Sequence, residues 1–319
     1  MKPEPIPPAA GPTRTVRRRT WTAALLALCV VGAAPACTPL EAQEPAGPAA
    51  KPAGLTAEDL PMNPSAARGR GIYVKWCIGC HGEEGRGDGA AAAMLDPLPR
   101  DFQSGRFKFR STPSGELPTQ DDLVRTITRG LKGSSMPAFS LLPESERRDV
   151  SEYVIHVALT GRARKIVRSL IEDDGLTMDR IRAEHLPAIR EGLEERRRRA
   201  QPIGIPPEPA NDAASIARGK DLYASMCLSC HGPTGVGDGP SAYALRDVRD
   251  AQIRPRDFTT GVLRGGDAPQ DLFRRMKTGL DGTPMPAFGN TDQELWDIVH
   301  FVTTLRRSPP STGAQETPR

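Results

Sequence analysis

Apolar residues recur at helical spacing in separate stretches of the chain, and most of these stretches come in pairs. Residues 69–77 and 219–227 read as short amphipathic helices. Residues 121–129 and 271–278 read as short helices stopped by Gly130 and Gly279. Residues 144–160 and 292–306 read as longer helices, with Val150, Tyr153, Val154 and Val157 sharing one face of the first. The Gly/Pro-rich stretches 82–120 and 232–270 read as loops. Irregular loops of that length are uncommon in a compact domain unless something holds them.

One apolar pattern is unpaired. Ile166, Leu170 and Ile171, then Met178, Ile181, Leu186, Ile189 and Leu193, recur at helical spacing between basic ends, Arg162 to Lys165 and Arg196 to Arg199. This predicts two helices broken near Asp174-Gly175 and strained at Pro187, followed by a Pro-rich link at 202–209. Two roles remain open for it: a solvated spacer, or an element that docks a partner or packs the paired regions together.

The N-terminus reads as an address. Arg14, Arg17, Arg18 and Arg19 precede an apolar run over 21–36, the layout of a secretory signal. The run falls short of the ~20 residues of a membrane span. It ends in Ala34-Pro35-Ala36-Cys37, which resembles a bacterial lipobox and makes Cys37 a candidate lipidation site. The same Ala-x-Ala also suits ordinary signal peptidase. Cys29 lies inside the run and would be lost with it. Residues 37–64 read as a disordered tether.

Comparing the chain with itself shows that the paired stretches are copies of one unit. Cys77-Ile78-Gly79-Cys80-His81-Gly82 matches Cys227-Leu228-Ser229-Cys230-His231-Gly232. Pro99-Arg100-Asp101-Phe102 matches Pro255-Arg256-Asp257-Phe258, and Met136-Pro137-Ala138-Phe139 matches Met285-Pro286-Ala287-Phe288. The expected organisation is a signal at 1–36, a tether at 37–64, a first unit at 65–160, a charged helical linker at 161–212, a second unit at 213–307 and a tail at 308–319.

Each unit carries Cys-x-x-Cys-His, the pattern for covalent haem attachment. Two thiols three positions apart reach the two vinyl groups on one porphyrin edge, and the adjacent imidazole reaches the iron. Cys77, Cys80 and His81 would hold one haem c; Cys227, Cys230 and His231 would hold a second. A zinc site needs about four ligands close together, whereas these cysteine pairs lie a whole unit apart. A large prosthetic group would also hold the long loops.

Each unit resembles a class I cytochrome c domain, and the whole resembles a di-haem c-type cytochrome: all-α, with two tandem domains joined by a helical connector. The resemblance implies Met136 and Met285 as second axial ligands, so that His81, Met136, His231 and Met285 bind iron. It also implies a proline carbonyl, from Pro97, Pro99 or Pro255, that orients the proximal histidine. Arg100, Arg256, Lys108 and Arg110 are candidates for haem propionates. His156, His185 and His300 have no counterparts in the other unit and read as surface or packing residues, as do Met94 and Met276.

Composition narrows the function. The formal charge of +4, from 43 basic and 39 acidic residues, lacks the basic excess of a nucleic-acid binder. Aromatic residues make up only 5%, lean for two cores packed from side chains alone. The expected function is an electron relay in a bacterial periplasm or cell envelope, between a redox protein donor and acceptor. It would act as a shuttle or as the haem subunit of a respiratory complex, with membrane attachment through Cys37. The alternative is a di-haem redox enzyme, peroxidase-like or thiosulfate dehydrogenase-like, in which one iron keeps an exchangeable position.

Overall fold

The computed structural model describes residues 54–306; the signal, Cys37, most of the tether and the tail lie outside the described residues. The first unit contains α1 (Pro64–Trp76), α2 (Ile78–His81), α3 (Gln120–Arg129) and α4 (Glu144–Glu172). The connector contains α5 (Met178–Arg180), a π-helical turn (Ile181–His185) and α6 (Leu186–Arg199). The second unit contains α7 (Ala213–Met226), α8 (Leu228–His231), α9 (Pro269–Thr278) and α10 (Asp292–Thr304). Among the described residues the structure is helical without β-strands, apart from one isolated bridge between Arg246 and Gln252.

Each unit is built on a crossing of its first and last helices, α1 with α4 and α7 with α10. The crossing depends on glycine: a side chain at Gly69 would collide with the Asp149 carbonyl, and one at Gly219 with the Asp297 carbonyl. A polar clamp closes both. Arg68 and Ser65 bind Asp149, and Arg218 and Ser215 bind Asp297. Side-chain caps set the helix starts: Asn63 accepts from Ala66 N–H and Asp212 from Ser215 N–H. Capping boxes Thr119/Asp122 and Thr291/Glu294 open α3 and α10.

The helix expected over 144–160 continues without a break to Glu172 and carries the chain into the connector. The break near Asp174-Gly175 is present, with Gly175 at φ 67°. Pro187 imposes no interior break. It stands in the first turn of α6, where a missing N–H costs nothing, and the π-helical turn ahead of it absorbs the irregularity. The connector folds back on the first unit: Ile181, Ile189, Leu193 and Ala200 share one buried cluster with Val154, Ile155, Ala158 and Leu159. It is therefore part of that unit's core and not a solvated spacer.

The end of the expected tether is structured as well. Leu55 and Leu60 pack against the same cluster, Arg182 binds Asp59, and Arg190 donates to the Asp59 carbonyl. Beyond α6 the chain crosses between units. Ile203 N–H donates to the Ser111 carbonyl of the first unit, and Ile205 packs on the core of the second. None of the helices among the described residues is long and apolar enough to cross a membrane.

Candidate functional site

Each Cys-x-x-Cys-His segment sits at the kink between the first two helices of its unit. Cys77 closes α1, with its N–H on the Tyr73 carbonyl, and leads directly into α2, which carries Cys80 and His81. Cys227, Cys230 and His231 repeat this on α7 and α8. Two buried tyrosines hold the kinks: Tyr73 donates to the Gly82 carbonyl and Tyr223 to the Gly232 carbonyl, both at 2.7 Å. None of these four cysteines pairs in a disulfide, and burial pushes the Cys77 and Cys227 thiols up to about 11.

The proximal histidines are held from behind. His81 Nδ1 lies 3.1 Å from the Arg100 carbonyl, so the orienting group is Arg100 and not the Pro97 or Pro99 expected by resemblance. In the second unit the Arg256 carbonyl, not that of Pro255, faces the ring. It opposes the effect of burial, which takes His231 down to about 4, without closing a hydrogen bond of good geometry on Nδ1. Burial lowers His81 in the same direction. Both imidazoles are thus held neutral, the form that ligates a metal. Phe102 stacks on His81 at 4.4 Å, and Phe258 on His231 at 4.5 Å. The repeated Pro-Arg-Asp-Phe motif was the available signal for both contacts, since it places a carbonyl and an aromatic ring two residues apart.

Met136 and Met285 lie in matching loops after α3 and α9. The Met136 carbonyl accepts from Leu131 N–H, and the Met285 carbonyl from Leu280 N–H. Phe139 N–H returns to Ile127, and Phe288 N–H to Met276. Gly130 and Gly279, at φ 62° and 67°, end the preceding helices, and their missing side chains leave room for the Pro137-Ala138 and Pro286-Ala287 backbone that follows each methionine. Met285 packs in the same cluster as Cys227 and Leu228, and Ile127 in the same cluster as Cys77 and Ile78. The second unit thus packs Met285 with Cys227; in the first, the Met136 loop is tied through Phe139 to Ile127, which packs with Cys77. The buried Nδ1 of His231 has no hydrogen-bond partner, so a group fixing the ring at its other nitrogen would hold it in place. This donor set fits haem c. No three His, Cys, Asp or Glu side chains cluster as a metal site among the described residues.

The remaining candidates divide. Arg110 is fully buried and engaged with Asp281 and the Thr278 carbonyl, whereas Arg100 and Lys108 make no ion pair among the described residues, although Asp247 stands near both. His300 is a packing residue: Ser215 meets its Nδ1 at 2.6 Å and Glu208 stands 3.4 Å from Nε2. Met276 is buried in the second core, but Met94 is 80% exposed and packs nothing.

The family profile described as cytochrome c oxidase, cbb3-type, subunit III matches residues 64–154 and again 214–302. The chain is similar to the cytochrome bc1 complex cytochrome c subunit of Corynebacterium diphtheriae, 28% identical over 105 residues. That match covers 32% of this chain and 31% of the relative, so the likeness spans about a third of its length. Among solved structures it is similar to a chain of the Kuenenia stuttgartiensis reducing HAO-like protein complex. There the TM-score is 0.60 and the identity 34%, covering 75% of this chain and 96% of that one.

Proposed function

The chain belongs to the cytochrome c family typified by subunit III of cbb3-type cytochrome c oxidases, and from that premise we propose that it relays single electrons through two haem c groups, one per unit. Haem attached to these motifs supplies reversible one-electron iron chemistry. The chain's own residues set how it is held. Cys77 with Cys80, and Cys227 with Cys230, anchor the porphyrin edges. His81, oriented by the Arg100 carbonyl, and His231, each stacked on its phenylalanine, Phe102 or Phe258, would supply the proximal ligands. Met136 and Met285 would supply the distal ones.

The observation that carries this reading is the duplication of the whole donor set, thioether loop included. Were His81 with Met136, and His231 with Met285, to hold the two irons, neither unit would keep a position for substrate, and a soft thioether would favour the reduced metal. That arrangement supports a carrier over an enzyme. The relatives extend the reading to partners: one is a subunit of a bc1 complex and the other belongs to a multi-protein HAO-like complex, so the chain is proposed to work between redox proteins or inside a respiratory assembly. The basic residues ahead of the apolar run at 21–36 support export to the periplasm or cell envelope, with Cys37 as lipid anchor.

Redox titration of the purified protein with visible spectra tests the reading. Two haems per chain, the weak sulfur-to-iron band in the oxidised form and no carbon monoxide binding in the reduced form are expected. A five-coordinate iron that binds carbon monoxide would transfer the protein to the enzyme class.

A further inference from the structure

The two units carry different groups at one equivalent position of their last helices, Glu152 on α4 and His300 on α10. Each receives an arm of the chain that connects the units. Glu152 takes Arg197 of α6, and Asn63 donates to the same oxygen. His300 faces Glu208, which lies in the irregular stretch 201–212 between α6 and α7. The first contact joins a carboxylate to a guanidinium. The second involves an imidazole, the side chain whose ordinary titration falls between about pH 5 and pH 8.

The hydrogen bonds around His300 decide where its protons sit. Ser215 Oγ lies 2.6 Å from Asp297 Oδ1 and 2.6 Å from His300 Nδ1, and all three residues are buried. Asp297 is held as a carboxylate by two N–H groups of Arg218 and can only accept. Ser215 therefore donates to Asp297, as Ser65 donates to Asp149 in the first unit. Its oxygen must then accept from Nδ1. With a proton committed at Nδ1, a neutral His300 presents a bare lone pair at Nε2. That nitrogen is buried without a hydrogen-bond partner and stands 3.4 Å from Glu208 Oε1. Two facing acceptors repel, whereas a proton on Nε2 turns the contact into a charge-assisted hydrogen bond. The other charges nearby are matched: Asp297 by Arg218, and Arg274 of α9 by Asp271. Gln270 of α9, uncharged, donates to the second oxygen of Glu208.

We propose that His300 and Glu208 form a proton-operated latch on the crossover between the units, closed when Nε2 carries a proton and released when it does not. The stretch that the latch holds contains four prolines and no regular secondary structure, so few ties fix it. Ile203 N–H donates to the Ser111 carbonyl of the first unit, Ile205 packs on the second core, and Glu208 ties the stretch to α9 and α10. The latch closes as pH falls through the histidine range and opens as pH rises, so the crossover is held more firmly in a mildly acidic medium. It is built from the chain alone and stands apart from the two-haem reading.

The test follows the His300 ring nitrogens by NMR in the full, reduced, haem-loaded protein between about pH 5 and pH 8. Hydrogen exchange at the Ile203 amide, corrected for the intrinsic effect of pH, reports on the crossover. Both ring nitrogens are expected to be protonated at the acid end, and the neutral form is expected to be the Nδ1–H tautomer. Protection of Ile203 is expected to be about tenfold higher at the acid end than at the alkaline end, the effect of one hydrogen bond to a charged group. Glu208→Gln, whose amide can donate to a bare Nε2, is expected to hold the crossover equally at both ends. Gln270→Ala, which removes only an uncharged tie, is expected to lower protection at both ends and keep their ratio. A neutral Nε2–H tautomer, protection that ignores pH in the unmutated protein, or a pH response that survives Glu208→Gln overturns the proposal.

Discussion

The ring of Phe109 occupies the space that a side chain on Gly265 would fill, and these two residues are equivalents in the repeat. Equivalent residues that touch lie on the pseudo-two-fold axis relating the units, and two phenylalanines could not both fit there. The repeat has kept the ring in one copy and removed the side chain from the other. Beside it, Arg110, whose side chain is fully buried, donates to the carboxylate of Asp281 at 2.9 Å across the seam where the two units touch. Breaking one partner of such a buried pair costs about 3–5 kcal/mol. Arg110→Ala is therefore expected to destabilise the seam by about that much. Calorimetry should show the two units melting in separate transitions; an unchanged melting profile would remove the seam's role.

Met136 and Met285 are expected to be interchangeable in kind but independent in effect. Met136→Ala should abolish half of the sulfur-to-iron absorption, lower one potential and admit one equivalent of carbon monoxide per chain. Met285→Ala should do the same for the other half. Loss of the whole band from either variant would mean that a single unit carried it.

The two units are legible in the chain because their markers depend on local chemistry: thiols at fixed spacing beside an imidazole, a glycine closing each short helix, and Met-Pro after it. The connector is legible as helices but not as core, because Ile181, Ile189 and Leu193 have an apolar spacing that fits any partner. Only packing shows that the partner is the first unit's own α4. The proximal carbonyl was sought on a proline, whereas every residue has a carbonyl and only the loop's path selects Arg100. The contact between the units was out of reach for a similar reason: Phe109 and Gly265 are recognisable as equivalents, but nothing along the chain says that they touch.

Because the connector completes one core, its truncation should act on one unit. Leu193 is 5% exposed and packed in the first unit's cluster. Leu193→Ala is expected to cost about 2–5 kcal/mol, the range for a deleted core leucine. The loss should appear as hydrogen exchange accelerating in α4 while α10 keeps its protection. Equal acceleration in both helices would show that the connector supports the pair as a whole.

The helix-crossing clamps should make the protein sensitive to acid, the second unit more than the first. Burial alone would raise Asp297, but Arg218, Ser215 and Gln293 outweigh it and hold its carboxyl below the ordinary range. Arg68, with Ser65, does the same for Asp149 against a smaller opposing effect of burial. A carboxyl whose pKa is lower in the folded state adds stability that is complete above the unfolded value, about 4, and is lost as pH falls through the folded value. The Asp297 side chain is 2% exposed against 14% for Asp149, so its hydrogen bonds compete less with water. Asp297→Asn is expected to cost about 1.5–3 kcal/mol at neutral pH, the range for hydrogen bonds to a charged group, and to flatten the fall in stability below pH ~4. Asp149→Asn should cost less on both counts. Urea unfolding measured between pH 3 and pH 7 decides the matter, and an acid limb that keeps its slope in Asp297→Asn would assign the sensitivity to other carboxylates.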